Sequence, residues 1–325
     1  MIPKTVKNAV ITSFLSKTKD RFHEYNEELD LEGRLRKASE MEGVSGVEVV
    51  FPYEVSDSPK EMRQLLDKHE LDVAALNVNI KAEPEFRDGG LSAKDPEVRA
   101  RAIQFIKDAK DYAVGLGANK VTCCPLADGY EFNFQSDYRK TWKRCVETVA
   151  EAADYKREMP LFIEYKPSET RSRCFIDTAA KTLCLLRDAG VAETGVTLDI
   201  GHALYAGENP AEALCLLAES GFGYYLHIND NNGRWDWDHM VGTHHLLHYV
   251  EFLYYAQEYG YDDYMTSDTS PTRWDIRGTF EMNARVTQKL WDRLLDVDRD
   301  ELARLIANES FLETWNFIEN DLLNL

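Results

Sequence analysis

Residues 223–242 read Gly-Tyr-Tyr-Leu-His-Ile-Asn-Asp-Asn-Asn-Gly-Arg-Trp-Asp-Trp-Asp-His-Met-Val-Gly. A short apolar run leads into a histidine, a series of amides and carboxylates, and then Asp-Trp-Asp. A folding core has no use for so many polar groups at the mouth of a buried strand. A divalent cation does, because hard cations take oxygen ligands and accept a neutral imidazole beside them. Two similar strand ends precede this one, Ile163-Glu164-Tyr165-Lys166-Pro167 and Thr197-Leu198-Asp199-Ile200-Gly201-His202. One follows, Thr266-Ser267-Asp268-Thr269.

Working outward, short β-branched or aromatic runs alternate with long amphipathic segments along the chain, the pattern of βα units around a parallel sheet. The runs predict strands at 8–14, 46–51, 72–79, 119–124, 160–165, 195–200, 223–229 and 263–268. Helical periodicity predicts helices at 28–43, 57–70, 95–116, 137–156, 177–190, 210–220, 242–259 and 275–295. Asp57-Ser-Pro and Asn209-Pro supply polar caps with proline in the first turn. Gly43, Gly117, Gly190, Gly221 and Gly260 fall where helices must stop. Eight such units predict an α/β fold, a (β/α)8 TIM barrel over residues 1–297, with a C-terminal helical extension over 298–325. A doubly wound open sheet fits less well, since no Gly-x-Gly-x-x-Gly follows the first strand.

The 325-residue chain carries 38 basic and 57 acidic residues, a formal charge of −19. That balance argues against nucleic acid or an anionic membrane as partner. A neutral small molecule and divalent cations suit it better. The six cysteines show no Cys-x-x-Cys pair and no disulfide spacing, so buried thiols in a reducing compartment are expected. With no leader-like N-terminus and no apolar run of membrane-spanning length, a cytoplasmic location is the expectation.

In such barrels the chemistry lies at the C-terminal ends of the strands. Side-chain alternation points Glu164 and Lys166 the same way, towards the barrel axis. Glu164, Asp199, His227 and Asp268, from four consecutive strands, converge on one cation: Mn²⁺, Mg²⁺ or Co²⁺ rather than a thiolate-held Zn²⁺. His202, Asp236 and Asp238 remain for a second, with Asp236 and Asp238 facing one side if their loop is extended. Trp235 and Trp237 either line a sugar pocket or pack at the rim. His239, His244, His245 and His248 read as surface or packing residues, and Glu48 ends its strand facing a possible pocket.

Glu164-x-Lys166-Pro, Asp199-x-x-His202, His227-x-Asn and Asp236-x-Asp238 resemble the metal motifs of the xylose-isomerase-like barrels, and among these most resemble L-rhamnose isomerase. The resemblance rests on residues 160–270. It implies a metal-dependent aldose–ketose isomerase with one or two cations per subunit, Asp199 bridging. Lys166 would polarise or protonate the substrate carbonyl, with Glu164, Asp268 and His202 as further catalytic groups. Two-metal members shift a hydride between C1 and C2, and Asp236-x-Asp238 favours that reading. One-metal members move a proton between paired carboxylates, which implies the alternative: a keto-sugar 3-epimerase, or a C-glycoside deglycosidase acting by β-elimination with a small partner subunit. A sugar substrate and a homo-oligomer are the implied partners. No histidine lies between His69 and His202, so the ring-opening histidine of xylose isomerases has no match.

Overall fold

The eight apolar runs pair in parallel and close on themselves. A computed structural model describes residues 2–169 and 171–325. The barrel strands are β1 (Lys7–Ile11), β2 (Gly46–Phe51), β3 (Asp72–Val78), β4 (Val121–Cys123), β5 (Leu161–Glu164), β6 (Thr194–Asp199), β7 (Gly223–Ile228) and β8 (Tyr264–Ser267). Each pairs with its neighbours in sequence, and β8 closes against β1 through Lys7 opposite Tyr264.

Around them run α1 (Leu31–Ser39), α2 (Pro59–Lys68), α3 (Pro96–Leu116), α4 (Tyr138–Asp154), α5 (Ala179–Ala189), α6 (Ile200–Ala206), α7 (Pro210–Ala218), α8 (Leu246–Glu258) and α9 (Ile276–Asp296). The starts are chemically marked: the side chains of Ser58, Asp95, Thr178 and Asn209 accept from first-turn backbone amides, with proline following three of the four. Gly117 and Gly190 end α3 and α5 in the left-handed conformation that glycine adopts without penalty. Helices α10 (Arg299–Ala307) and α11 (Phe311–Phe317) follow the barrel. They bury Leu302, Leu305 and Phe317 but leave Phe311 and Leu312 exposed.

The fold class is as the sequence predicts; most boundaries shift by no more than two residues, and three elements differ by more. The first strand stops at Ile11 and residues 12–15 turn as a 3-10 helix. The first helix covers 31–39 rather than 28–43, and α8 starts at Leu246 rather than 242, after a run of turns. A short α6, not read from the sequence, starts directly from β6. Its N-cap is Asp199, whose carboxylate accepts from the His202 amide at 2.9 Å.

The barrel interior is filled from the bottom up. Phe162, Tyr225 and Tyr264 cluster around Ala75 as an aromatic plug. Glycine makes room for it: a Cβ at Gly195 would sit 2.4 Å from the Phe162 ring, and one at Gly46 2.6 Å from Tyr264. Lys120 closes the plug from below, 4.5 Å from the Tyr225 ring centre and 2.9 Å from Asp263. The site stands on the other side. All four buried cysteines are free thiols. No helix among the described residues is long and apolar enough to cross a membrane.

Candidate metal centre

Above the plug lies a buried carboxylate. Glu48, fully inaccessible in the middle of an otherwise apolar strand, accepts from Asn77 Nδ2 (2.8 Å), Thr122 Oγ1 (3.1 Å) and the Tyr225 hydroxyl (3.0 Å). Its Oε2 also lies 3.0 Å from His227 Nε2. A carboxylate only accepts, so Nε2 carries the proton and Nδ1 is aimed at the cavity above. Burial alone would raise the Glu48 carboxyl, but His227 and the hydrogen bonds hold it below its ordinary value. This support behind an imidazole is what orients metal-binding histidines.

His227 Nδ1 faces three carboxylates: Glu164 at 3.4 Å, Asp268 at 3.6 Å and Asp199 at 4.0 Å. One ligand atom from each of these four residues lies within 4.8 Å of the others. A second such group, Asp199, His202 and Asp236, shares Asp199 with the first. His202 Nε2 lies 3.2 Å from Asp236, and its Nδ1 3.3 Å from Glu164. Asp238 lies outside both groups. Its backbone is left-handed, with φ of 48°, and that breaks the alternation by which Asp236 and Asp238 were expected to face one side. Asp238 still lines the same cavity as Asp236.

Four atoms show that the donor set fits a cation. Glu164 Oε1, His227 Nδ1, His202 Nδ1 and Asp236 Oδ1 are buried without a hydrogen-bond partner. A fold does not bury four polar atoms in one place unpaired unless something else satisfies them. The electrostatics agree. Burial pushes the Asp199 carboxyl up to about 7, with Asp268, Asp236 and Glu164 adding to the shift. Burial also works against the charge on Glu164, yet the imidazoles of His227 and His202 hold it at about 2. His202 itself reaches about 9, because Asp199 and Asp236 outweigh its burial. The negative charge is in excess and borrows protons from its own ligands.

Lys166 lies beside these groups. Its Nζ is 2.8 Å from Asp236 and 2.9 Å from Glu169. Burial opposes the charge, but those carboxylates keep its ammonium well above the ordinary lysine value. Asn229 fixes Asp199: its amide donates to Asp199 Oδ2 at 3.1 Å and to the Asp268 carbonyl at 2.9 Å, while its oxygen accepts from Gly201 N at 2.7 Å. A Cβ at Gly201 would lie 2.5 Å from that oxygen, so glycine is needed there. The cavity, ≈ 260 Å³, is also lined by Asn77, Asn79 and Lys81 from the first half of the barrel.

Sequence reasoning brings Glu164, Lys166, Asp199, His202, His227, Asp236, Asp238 and Asp268 to this region, and the structure places all eight around one mouth. It missed the part of Glu48, Asn77, Thr122 and Tyr225. The available signal was Glu48, a charge inside Gly-Val-Glu-Val-Val-Phe at an inward position. Of the distal histidines, His245 is held by Asp230 at 2.8 Å and His244 by His239 at 3.2 Å, outside the cavity.

A model of the xylose isomerase-like TIM barrel matches residues 35–289. The chain belongs to that family. Over 201 residues it is 26% identical to the xylose isomerase of Thermus thermophilus, a match covering 60% of this chain and 52% of that enzyme. The Thermus caldophilus xylose isomerase matches to the same extent, so the chain spans about half the length of these curated relatives. Among solved structures it superposes on an L-ribulose 3-epimerase with TM-score 0.72 at 18% identity, covering 92% of this chain and 98% of that one. A D-tagatose 3-epimerase-like protein gives 0.68 at 22% identity, with 91% and 100% covered. A 3-keto-D-glucoside 4-epimerase from E. coli gives 0.67 at 15%, with 88% and 100% covered. At these identities the superpositions speak for the barrel.

Proposed function

We propose that this member of the family is a divalent-metal-dependent aldose–ketose isomerase acting on a monosaccharide or sugar derivative. The observation that carries the reading is the pair of ligand groups sharing Asp199 beside a protonated lysine. Glu164, Asp199, His227 and Asp268 would hold one Mn²⁺ or similar cation. Asp199, His202 and Asp236 would hold a second, with Asp238 at the cavity wall. When bound, the cations polarise the sugar's carbonyl and adjacent hydroxyl oxygens.

The chain's own groups do the rest. Lys166 keeps its proton and donates a hydrogen bond to the carbonyl oxygen at C1. The hydride leaves C2 for C1 as the O2 proton passes to O1, so the substrate neither gains nor loses an atom. Glu48 and Asn229 keep His227 and Asp199 in place throughout.

A second reading has its own support. Glu164 and Asp268 both approach His227 Nδ1, so two carboxylates face one small space and could exchange a proton with a carbon next to a ketone. That is the chemistry of a keto-sugar 3-epimerase, or of β-elimination from a C-glycoside with a small partner subunit, and several similar structures are epimerases. Turnover with Mn²⁺ in D₂O separates the two. Product free of deuterium supports the hydride shift. Deuterium at carbon overturns it in favour of proton abstraction.

A further inference from the structure

Beside the catalytic cavity lies a second and larger recess, ≈ 610 Å³, and the two share Asp236 and Asp238 as a common wall. Its other walls come from three loops: the hairpin after β1, the loop after β7 and the loop after β8. These loops are latched together. Asn26 Nδ2 donates to the Pro271 carbonyl at 2.7 Å, Ser270 N donates to the Asp238 carbonyl at 3.0 Å, and Asp230 and His239 form a backbone bridge. The recess is therefore built by tertiary contacts rather than left between free loops.

Four aromatic side chains line it, set among polar and charged ones that include Lys19, Asp20 and Arg273. Trp237 and Trp274 are 51% and 38% exposed, and Trp235 and Tyr25 face the same space. Trp274 is held edge-on by His239, with ring centres 5.5 Å apart, and Trp235 packs on Tyr205 at 5.7 Å. Tyr25 is pinned through its hydroxyl to Asp20 at 2.7 Å. Indole faces left in water next to the cation-ligand cavity are surfaces on which the apolar face of another ring can stack. The smaller cavity at the cation ligands, ≈ 260 Å³, is lined by none of these four aromatics.

The geometry points to a substrate that is a sugar conjugate, its reacting sugar at the cation site and a second ring, glycosyl or aryl, seated between Trp237 and Trp274. This rests on the metal-dependent reading above for the position of the reacting end. The shared wall at Asp236 and Asp238 sets where the linkage must pass. The second ring attaches through a hydroxyl other than those at C1 and C2, which the reaction itself uses.

The test is calorimetric binding to the Mn²⁺-loaded protein of three hexitols (glucitol, mannitol, galactitol), each alone and as its 4-O-glucosyl and benzyl derivatives. At least one derivative should bind about tenfold more tightly than its parent, the scale of one aromatic stacking contact. Trp274→Ala and Trp237→Ala should each collapse that ratio towards one, and Trp237→Phe should keep part of it. No derivative gaining over its parent, or ratios unchanged in both alanine variants, would overturn the inference. Repeating the titrations after EDTA treatment isolates the underlying reading. A tryptophan-dependent ratio that survives while parent binding proves indifferent to metal would sink the metal-dependent site and leave the second-ring recess standing. The glucosyl and benzyl arms tell which kind of ring is preferred.

Discussion

The two halves of the barrel bury polar groups at similar depth and treat them in opposite ways. In strands β2 to β4 every buried group of the network is paired: Glu48 accepts from Asn77, Thr122 and Tyr225. Asp128, just past β4, accepts from the amides of Gly90, Leu91 and Ser92 at 3.0, 3.2 and 2.5 Å. In β5, β7 and the α6 turn after β6, the equally buried Glu164, His227 and His202 each keep an atom without a partner. Burial of a charge says little by itself, because both halves do it. Several unpaired buried atoms gathered in one place are the functional mark, since their desolvation cost stays uncompensated until a ligand arrives.

The comparison can be broken at four places. The largest effect is expected at Glu164→Gln, which removes a charged ligand from the unpaired set. It should lower kcat/KM by about a thousandfold, the several kcal/mol of cation-assisted catalysis, and reduce bound Mn²⁺ measured by atomic absorption. Activity near wild type would remove Glu164 from the site.

Asp128→Ala breaks the paired set instead. Several charge-assisted bonds vanish and backbone amides are left buried, for a loss of about 3 kcal/mol in stability. Chemical denaturation should show it, with Mn²⁺ affinity of the folded fraction unchanged. A matching fall in metal affinity would mean the halves are not separable.

Glu48→Gln tests the seam where the halves meet. The amide cannot hold His227 in one tautomer as a carboxylate does, so Mn²⁺ affinity should fall about 10- to 100-fold, the usual effect of an outer partner, with little change in melting temperature. An unchanged affinity would make Glu48 a packing residue only.

The smallest effect concerns Lys110, a buried ammonium of α3 that donates to the carbonyls of Ala153 at 3.0 Å and Tyr155 at 2.6 Å. Burial pushes it down to about 8 from an ordinary 10.5. The folded chain therefore sheds this proton first, and between those values the unfolded chain binds more protons. Stability from this group must rise with pH across that window. Lys110→Met should flatten the rise in denaturation curves taken through it; an unaltered slope would refute the assignment.

Much of the mouth was legible because its ligands sit at strand ends, where a charge after an apolar run stands out. Glu164, Asp199 and His227 needed only the rule that strand ends carry chemistry. Asp236 was legible as a residue type, but its neighbour Asp238 was not, since a left-handed residue cannot be read from alternation. Glu48 escaped for a different reason. Its partners come from β3, β4 and β7, 29 to 179 residues away in sequence, and no local pattern links them. Of the second recess only Trp235 and Trp237 were legible as candidates, because its other walls belong to loops from both ends of the chain.

By itself the sequence determined the βα rhythm, the strand ends and the kinds of ligand they carry, because apolar periodicity and side-chain chemistry are local properties. Only the tertiary structure decided which polar atoms are paired and which are left open. Closure of the barrel brings β2 against β1 and carries the Glu48 carboxylate beneath His227, and the same closure leaves His227 Nδ1 facing three carboxylates with nothing to bond.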